Sequence, residues 1–317
     1  MAQFGKVAVL FGGTSGEREV SLKSGQAVLD ALLSKGVDAE AFDPAIRAIN
    51  ELAIYDRAFI VLHGRGGEDG QIQGVLEWMN IPYTGSGVLA SALGMDKART
   101  KQLWKGIGLP TAPYRLLDEK TDYQAVIAEL GLPLIIKPVH EGSSIGMSKV
   151  ETPEQLEPAY REASGHDAVV MAEAWITGRE FTVVMLNGEA LPVIRLEPPK
   201  DVAFYDYQAK YLRNDTHYGI PSGLTDQEEI ELQQLALRAF DAVGATGWGR
   251  IDAMQDTQGR FWLLEVNTVP GMTDHSLVPM AAKAVGYSFA DLCVLILSQT
   301  LTSVAENTSV ATTAKVG

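Results

Sequence analysis

The sequence has very little cysteine and no excess of positive charge. Its single cysteine among 317 residues, Cys293, lies in the apolar run Leu292–Leu297. One cysteine cannot form an internal disulfide, and no Cys/His cluster surrounds it, which excludes a disulfide framework and a zinc site at this position. The formal net charge is −14, so a broad electrostatic surface for nucleic acid or for an anionic membrane is also excluded.

Long hydrophobic runs are absent as well. The first apolar segment, Val7–Phe11, is followed at once by two glycines and charged residues, and is too short for a signal peptide. No run approaches the roughly 18 apolar residues of a membrane helix. We therefore expect a cytoplasmic protein with neither nucleic acid nor membrane as partner. Its 46% hydrophobic composition is enough for two or three packed domains.

Strand and helix signals alternate over the first part of the chain. Apolar strands are predicted at Lys6–Phe11, Val37–Phe42 and Arg57–Leu62, and helices at Glu17–Ser34 and Gln71–Asn80. This alternation is typical of a parallel sheet covered by helices, here a Rossmann-like unit of roughly 90 residues. A helix at Asp96–Lys105 begins the next unit.

The C-terminal half is richer in strands. Asn187-Gly188 predicts a hairpin turn between two strands, and Thr225 with Glu228 predicts a capped helix. Between them, residues 198–223 form a polar, aromatic loop of the length expected for a lid. From about Thr302 the chain is polar and is expected to form a flexible tail.

The predicted hairpin Gly247–Asn267 concentrates charge on one face. With a loop of two or four residues, Arg250 would face Glu265 and share a face with Asp252 and Asn267, because side chains alternate along a strand. A three-residue loop would break this grouping. Two carboxylates and an amide suit a Mg²⁺–phosphate site, although an exposed hairpin with an Arg–Glu pair remains the alternative.

A Gly/Ser turn follows another apolar strand. Lys137 ends the strand, where a buried ammonium needs an anionic partner, and Gly142–Gly146 offers backbone amides and hydroxyls, among them Ser143 and Ser144, that could grip phosphates. The spacing of a Walker A loop is absent. Taken alone, the segment is equally compatible with a simple hairpin turn.

Two loops come directly after predicted parallel strands, at the sheet edge where open α/β folds bind ligands. Glu17 follows the first strand and can hold a substrate ammonium, or simply favour the start of a helix. His63 lies in the glycine-rich loop after the third strand and can be a ligand or a structural histidine. Lys97, in a first helical turn, stands where the helix dipole disfavours a cation unless an anion binds nearby.

Six segments in this order resemble D-alanine–D-alanine ligases of the ATP-grasp superfamily, from about Val7 to Leu297. They are GGTSGEREVSL, LHGRGGEDG, GSSIGMSKV, FYDYQAKY, GWGRIDAM and LLEVNTVPGMTDHSL. The resemblance implies an α/β ATP-grasp fold: a Rossmann-like N-terminal domain (1–95), a central domain (96–179) and a C-terminal α+β domain (180–317). ATP would lie between the last two.

The resemblance also implies roles for individual residues. ATP contacts would come from Lys97, Lys137, Ser144, Glu173, Ala174, Trp175 and Glu180. Two Mg²⁺ ions, with Mn²⁺ as a substitute, would be held by Asp252, Glu265 and Asn267. The catalytic set would be Glu17, Ser143, Tyr211, Arg250 and Gly271, and the substrate pocket would comprise His63, Lys210, Ser276 and Leu277. The resemblance further implies a homodimer.

The implied reaction joins two D-alanine molecules through an acyl phosphate, for peptidoglycan precursors. Three alternatives stay open: D-alanyl-D-lactate synthesis, another ATP-grasp carboxylate–amine ligase, and a non-catalytic nucleotide-binding regulator. Tyr211 in its FYDYQAKY setting favours the dipeptide. Two positions depart from the family: His140 stands where relatives often have arginine, and Ala174 where many have lysine.

Overall fold

The computed structural model describes residues 2–197, 199, 216–273 and 276–313. The described residues form three sheets, one parallel and two antiparallel, each with helices packed on it. Two short 3-10 helices, at Ala2–Phe4 and Ile49–Ile54, lie in the part of the chain that forms the first sheet. A third, at Pro153–Gln155, leads into a helix of the second unit.

The first unit is a three-stranded parallel sheet, as the strand–helix alternation predicts. Its order is β2-β1-β3 and its helices are α1 and α2, whereas Ala90 of the following helix α3 is buried in a separate core that belongs to the third unit. The bounds are β1 Val7–Leu10, α1 Arg18–Ser34, β2 Ala39–Phe42, β3 Arg57–Ile60, α2 Gln71–Trp78 and α3 Val88–Met95. Every residue of β1 and β3 is buried, which is typical of a parallel strand covered on both faces.

The second unit is a four-stranded antiparallel sheet in the order β4-β7-β5-β6. Its elements are α4 Lys97–Gly106, β4 Tyr114–Leu117, α5 Tyr123–Leu130, β5 Leu134–Pro138, β6 Ser148–Val150, α6 Leu156–Ser164 and β7 Val170–Ala174. Asp96 caps α4 by accepting a hydrogen bond from the Arg99 N–H, which fixes where this helix begins. The loop between β5 and β6 contains the predicted Gly142–Gly146 turn.

The third unit contains the longest strands. Its sheet has the order β11-β10-β8-β12-β13, with β9 paired to β8. The bounds are β8 Gly178–Leu186, β9 Glu189–Ala190, β10 Ile194–Glu197, β11 His217–Gly219, α7 Asp226–Ala242, β12 Trp248–Asp256, β13 Phe261–Asn267, α8 Leu277–Ala284 and α9 Phe289–Thr313. The predicted capping box of Thr225 and Glu228 is present at the start of α7.

The first and third units share one hydrophobic core. Buried residues of β1 and β3 pack in the same cluster as Ile296 and Leu297 of α9. Arg57 is buried at this junction, where its guanidinium donates to the carbonyl of Phe4 and, over 2.8 Å, to Thr300 Oγ1. The C-terminal helix thus supports the sheet on which the N-terminal loops are built.

Two features differ from the sequence-based picture. Helix α3, at Val88–Met95, was not expected, because its mainly apolar sequence lacks amphipathic periodicity. The backbone of α9 stays helical to Thr313, past the point where a tail is predicted; the mobility of that segment stays a prediction. Among the described helices none is by itself long and apolar enough to span a membrane, and α8 with α9 to Leu301 passes that test only as a pair bent by 102°.

Candidate active site

A cavity of about 470 Å³ lies between the second and third sheets. All seven residues predicted to bind ATP line it, together with two of the three predicted metal ligands: Lys97, Lys137, Ser144, Glu173, Ala174, Trp175, Glu180, Asp252 and Glu265. These residues come from five separate segments of the chain. The fold therefore gathers residues that are up to 168 positions apart in sequence, from Lys97 to Glu265, around one space.

The same cavity has an apolar part that sequence reasoning missed. Its lining includes Ile135, Met147, Met254 and Leu264, together with residues 176–178. Apolar walls with a few polar groups suit a flat heteroaromatic ring. In the sequence these residues look like ordinary strand residues, so no signal distinguishes them. The cationic Arg195 also lines the cavity and was likewise not predicted.

One wall of the cavity contains three buried charged side chains in contact, Lys101, Glu173 and Lys137. The Glu173 carboxylate lies between two ammonium groups: Lys101 Nζ is 2.7 Å from Oε1, and Lys137 Nζ contacts Oε2. All three side chains are at most 9% exposed. Burial raises the pKa of Glu173, but the two lysines outweigh it and hold the pKa below its ordinary value. Glu173, predicted to contact ATP, thus also offsets part of the positive charge of this wall.

Lys101 is the residue that sequence reasoning missed most clearly. It lies on α4, is completely buried, and donates to Thr111 Oγ1 over 2.6 Å and to the Leu263 carbonyl over 3.4 Å. Burial lowers the pKa of Lys101 to about 8, although the charge of Glu173 opposes the shift. A lysine among ordinary helix residues gives no sequence signal of such a setting.

Lys97 stands where the second and third units meet. Its ammonium donates to the Glu141 carbonyl over 2.7 Å and lies 3.5 Å from Glu265 Oε2. Its position in the first turn of α4 is thus offset by an acceptor and a carboxylate. That a bound anion also lies near this cation stays a prediction. The ammonium connects Glu141, just before the Gly/Ser loop, to Glu265 of β13.

The register of the β12–β13 hairpin corrects the prediction. Arg250 faces Asn267, and Asp252 faces Glu265, rather than Arg250 facing Glu265. The loop contains three residues, since Asp256 N donates to the Arg260 carbonyl, and such a loop alone would separate the charges onto two faces. The register then shifts between Asp252 and Ala253, where the strand opposite has one extra residue. This β-bulge restores the shared face by a route that the sequence did not reveal.

Asp252 is the centre of this face. It is 5% exposed and accepts from Arg250 Nε over 2.9 Å and from Thr182 Oγ1 over 2.6 Å. Asn267 Nδ2 donates to it over 3.2 Å. The four predicted residues of the hairpin therefore lie together, with the arginine beside the carboxylate and the amide.

A second group of predicted residues surrounds Glu17. The Ser143 hydroxyl donates to Glu17 Oε1, so the Gly/Ser loop of the second unit reaches the first. A Cβ at Gly142 would lie 2.7 Å from Glu17 Oε2, and one at Gly64 would lie 3.0 Å from it. Three loops thus converge on one carboxylate that is 8% exposed. The φ of Ser143 is +52°, a left-handed conformation that non-glycine residues adopt mainly where the surroundings enforce it.

His63 and Glu68 belong to the same neighbourhood. His63 is 5% exposed, and its Nδ1 lies 2.9 Å from the Val269 carbonyl, while Nε2 has no hydrogen-bond partner among the described residues. Burial lowers the pKa of His63, although the charge of Glu17 opposes this. Burial and the charge of Glu17 raise the pKa of Glu68 to about 8. The hydrogen bond from the Gly64 N–H and the charges of Arg250 and Lys97 lower this pKa but do not outweigh the rise. Glu68, in the quoted segment LHGRGGEDG, was not singled out from sequence.

The segment after β13 holds the remaining predicted residues. The Ser276 hydroxyl accepts from Thr273 N over 3.0 Å and would lie 3.1 Å from a Cβ at Gly271. Leu277 begins α8 and is 6% exposed, packed in the first core. Lys210, Tyr211 and most of the predicted 198–223 lid lie outside the described residues.

The backbone N–H groups of two residues predicted to contact ATP, Ala174 and Trp175, form hydrogen bonds within the protein. The Ala174 N–H donates to the Pro113 carbonyl over 2.9 Å, and the Trp175 N–H to the Pro133 carbonyl over 3.1 Å. These two N–H groups are therefore not offered to a nucleotide base. The Lys149 ammonium lies 4.8 Å from the centre of the Trp175 ring, a cation–π contact at the cavity rim.

His140 joins two carboxylates just before the Gly/Ser loop. Its Nδ1 lies 2.7 Å from Asp167 Oδ2, and its Nε2 lies 3.2 Å from Asp96 Oδ2. Its backbone N–H also donates to Asp167 over 2.8 Å. Burial raises the pKa of Asp167, but the hydrogen bonds from His140 outweigh it and hold the pKa below its ordinary value. At this departure from the family pattern, the histidine side chain thus contacts both carboxylates.

Comparison with known proteins decides the family. The family described as "D-ala D-ala ligase C-terminus" matches residues 103–298, and "D-ala D-ala ligase N-terminus" matches residues 39–86. A D-alanine–D-alanine ligase of Acinetobacter baumannii is 74% identical over 299 residues, covering 94% of this chain and 97% of that protein. The chain belongs to the D-alanine–D-alanine ligase family.

Solved structures agree with this assignment. The crystal structure of D-alanine–D-alanine ligase from Bacillus anthracis complexed with ATP matches with a TM-score of 0.84 and 28% identity, covering 96% of this chain and 99% of that one. The VanG D-Ala:D-Ser ligase of Enterococcus faecalis matches with a TM-score of 0.80 and 29% identity, covering 93% and 99%. The predicted ATP-grasp fold is confirmed, and VanG shows that closely similar folds serve a different second substrate.

Proposed function

We propose that this protein uses ATP to join two D-alanine molecules into D-alanyl-D-alanine, for peptidoglycan precursors. The observation that carries the proposal is the junction of two groups of residues: those lining the cavity between Lys137 and Asp252, and those around the Glu17 carboxylate, linked by the loop containing Ser143. A nucleotide phosphate and an amino acid could meet at that junction. The ATP-bound relative and the 74% identical ligase support the same reaction.

The nucleotide would occupy the cavity between the two antiparallel sheets. Its base would enter the apolar part beside Trp175, with Glu180 near the ribose, and its phosphates would lie between Lys97 and Lys137 beneath Ser144. The two lysines neutralise phosphate charge, which is the largest electrostatic requirement of phosphoryl transfer. This orientation would bring the terminal phosphate near Ser143, whose hydroxyl contacts Glu17.

The carboxylate face would hold two Mg²⁺ ions, for which Mn²⁺ can substitute. Asp252, Glu265 and Asn267 offer hard oxygen ligands from one hairpin face, the set that Mg²⁺ takes together with substrate phosphates. Within the described part of the chain, no group of three or more His, Cys, Asp or Glu side chains could hold a metal ion. The phosphates would therefore complete the coordination, and bound Mg²⁺ would supply charge neutralisation there.

The first step would activate one D-alanine. Glu17, with Ser143 and Tyr211, would hold the ammonium of that D-alanine, and His63 would line its pocket. The carboxylate oxygen would attack the γ-phosphorus, the bond to ADP would break, and an acyl phosphate would form. Activation is needed because a free carboxylate is a poor electrophile. Exclusion of water by the 198–223 segment would protect the intermediate.

The second step would form the peptide bond. Lys210 and Ser276, beside Leu277, would receive the carboxylate of the second D-alanine, whose neutral amine would attack the acyl carbon. The Arg250 guanidinium and the Gly271 N–H would stabilise the oxyanion of the tetrahedral intermediate, which then expels phosphate. The buried Leu277 fixes the start of α8 and so the position of the Ser276 hydroxyl.

The working protein would be a cytoplasmic homodimer. Family resemblance supports the dimer, and exposed apolar side chains on two contacting helices offer a surface for it: Trp78 of α2 is 89% exposed and Leu89 of α3 is 70% exposed. Sedimentation velocity on the wild type and on Trp78→Glu tests this. A dimer that W78E converts to monomer is expected, and a monomeric wild type contradicts the proposal.

Phosphate release from Mg-ATP is the primary test of function. We expect release with D-alanine, none with L-alanine or without amino acid, and a D-alanyl-D-alanine product by mass spectrometry. Competition of D-alanine against D-lactate and D-serine as second substrate, across pH, separates the related ligases. Release independent of D-alanine would leave another ATP-grasp reaction, and no release under any condition would favour a nucleotide-binding regulator.

A further inference from the structure

Lys101 has an unusual setting for a residue outside the predicted site. Its ammonium is completely buried and pairs with Glu173 Oε1 at 2.7 Å. It also donates hydrogen bonds to Thr111 Oγ1 over 2.6 Å and to the Leu263 carbonyl over 3.4 Å. A buried charge with these partners is costly to assemble, which suggests that it serves more than packing.

The three acceptors come from both sides of the nucleotide cavity. Glu173 lies on β7 of the second unit, whereas Leu263 lies on β13, two residues before Glu265. Thr111 Oγ1 donates to the same Leu263 carbonyl over 2.9 Å, and Leu263 N donates to the Pro110 carbonyl over 2.9 Å. Lys101 therefore fixes Glu173 at the point where the two walls of the cavity are joined.

The charges of Lys101, Glu173 and Lys137 determine how much positive charge the cavity wall offers to a ligand. Glu173 contacts Lys101 with one oxygen and Lys137 with the other. Two cations and one carboxylate leave one net positive charge, and Lys137 is the member that lines the cavity with Lys97. Without Lys101, Glu173 and Lys137 would form a neutral, closed pair. A phosphate would then have to compete with a buried carboxylate for the Lys137 ammonium.

We propose that Lys101 is a positioning residue that keeps Lys137 available to the nucleotide phosphates by holding and neutralising Glu173. The inference rests on the proposed phosphate-binding role of Lys137. It assigns to Lys101 no contact with substrate, so its effect should appear in phosphate affinity rather than in adenosine affinity.

The test is calorimetric binding of ATP and of adenosine, with KM and kcat, for Lys101→Met. We expect K101M to weaken ATP binding by roughly tenfold or more, which corresponds to losing about one charged hydrogen bond between Lys137 and phosphate. Adenosine binding should change much less, because adenosine has no phosphate. The KM for ATP should rise more than kcat falls. Lys105→Met removes an exposed lysine one turn further along α4 and should change neither.

The effect of K101M should depend on the Glu173 carboxylate, so we test K101M again in a protein that lacks this carboxylate. In the Glu173→Gln protein no carboxylate competes for Lys137, so adding K101M should leave ATP affinity nearly unchanged. This comparison stays valid even where K101M alone folds poorly, because the double variant buries neither charge. A further loss of ATP affinity in the E173Q background would overturn the proposal.

Lys137→Ala distinguishes failure of the positioning role of Lys101 from failure of the phosphate-binding role of Lys137. Weaker ATP binding in K137A, with wild-type ATP binding in K101M, overturns the positioning role and leaves the proposed function intact. Wild-type ATP binding in K137A refutes the phosphate-binding role of Lys137, and the positioning role with it.

Discussion

The two walls of the nucleotide cavity differ in which charged side chains face the cavity. The wall of the second unit presents Lys97 and Lys137, and its buried carboxylate, Glu173, lies behind them between two lysines. The wall of the third unit presents Asp252 and Glu265 at the surface of the cavity. The lysines can therefore attract phosphate directly, whereas the face formed by Asp252 and Glu265 needs a bound cation before it can do so.

The comparison also separates what each wall should control. Loss of a lysine from the cationic wall weakens an attraction to phosphate, so nucleotide affinity should fall. Loss of a group from the carboxylate wall removes a metal ligand or the Arg250 guanidinium beside it, so turnover and metal dependence should change most. Measurements on both walls in one assay would establish or refute this division.

The largest effect is expected for Arg250→Ala. The change removes the proposed oxyanion donor and leaves Asp252, 5% exposed, without the guanidinium that contacts it at 2.9 Å. We expect kcat to fall by about 10³-fold, the order found when such a donor is lost. Phosphate release with D-alanine measures it, and circular dichroism checks that the fold is kept.

A matched control lies on the same hairpin. Arg260 is an exposed arginine that pairs with Asp256 at 2.9 Å, away from the cavity. Arg260→Ala should leave kcat within about twofold, because exposed ion pairs contribute little. Equal losses in the two variants would contradict a specific role for Arg250.

Glu265→Gln should have the next largest effect. The substitution keeps the size of the side chain and removes one proposed metal ligand beside Lys97. We expect turnover to fall by roughly 10²-fold and the Mg²⁺ requirement to rise, since altered ligation weakens metal binding. A Mg²⁺ titration of phosphate release measures this. An unchanged Mg²⁺ dependence would refute the ligand role, whereas chelation of Mg²⁺ should stop the wild-type reaction reversibly.

Much of the fold was accessible from sequence. The buried runs of β1 and β3 predicted a parallel sheet, and the capping box at Thr225 predicted the start of α7, because both depend on local chemistry. Helix α3 was missed because its mainly apolar sequence has no periodic polar face. Where the three sheets meet depends on long-range packing, which no local pattern encodes.

The site shows the same division. Residue types at strand ends pointed to Glu17 and Lys137, and resemblance supplied most of the others. The grouping of Asp252 with Glu265 was predicted from the wrong register, because a β-bulge is not visible in an alternating pattern. Lys101 was missed because burial of a lysine follows from tertiary contacts that its helix sequence does not reveal.

Gly142→Ala should affect the amino-acid pocket more than the nucleotide cavity. An added Cβ would lie 2.7 Å from Glu17 Oε2, so the carboxylate must move from its position. We expect the KM for D-alanine to rise by about tenfold, with a smaller change for ATP, because a misplaced ligand weakens orientation of the substrate. Initial rates with each substrate varied separately measure this.

Gly106→Ala is the corresponding control. Gly106 ends α4, and a Cβ there would meet nothing within 4 Å. Alanine is favoured over glycine in a helix, so stability should not fall and both KM values should stay unchanged. A rise in the KM for D-alanine in G106A as well would show that the effect of G142A is not local.

The smallest effect concerns His140, which contacts Asp96 and Asp167. Its hydrogen bonds help hold the pKa of both carboxyl groups below the ordinary value, against burial. A lowered carboxyl pKa stabilises the fold above the unfolded-state value near 3.8 and loses that contribution as the pH falls through the folded-state value. His140→Gln should therefore lower the free energy of unfolding at neutral pH by about 1 kcal/mol.

Urea unfolding at pH 7 and at pH values below 3.8 measures this difference. His140→Gln should lose stability at pH 7, and the gap to wild type should narrow as the pH falls below 3.8, where both carboxyl groups become protonated. His166 provides the comparison, because it is more exposed and lies 3.4 Å from an exposed Glu162. His166→Gln should change stability by no more than a few tenths of a kcal/mol at either pH. A constant difference between H140Q and wild type at all pH values would mean that packing, not the two carboxylates, accounts for the role of His140.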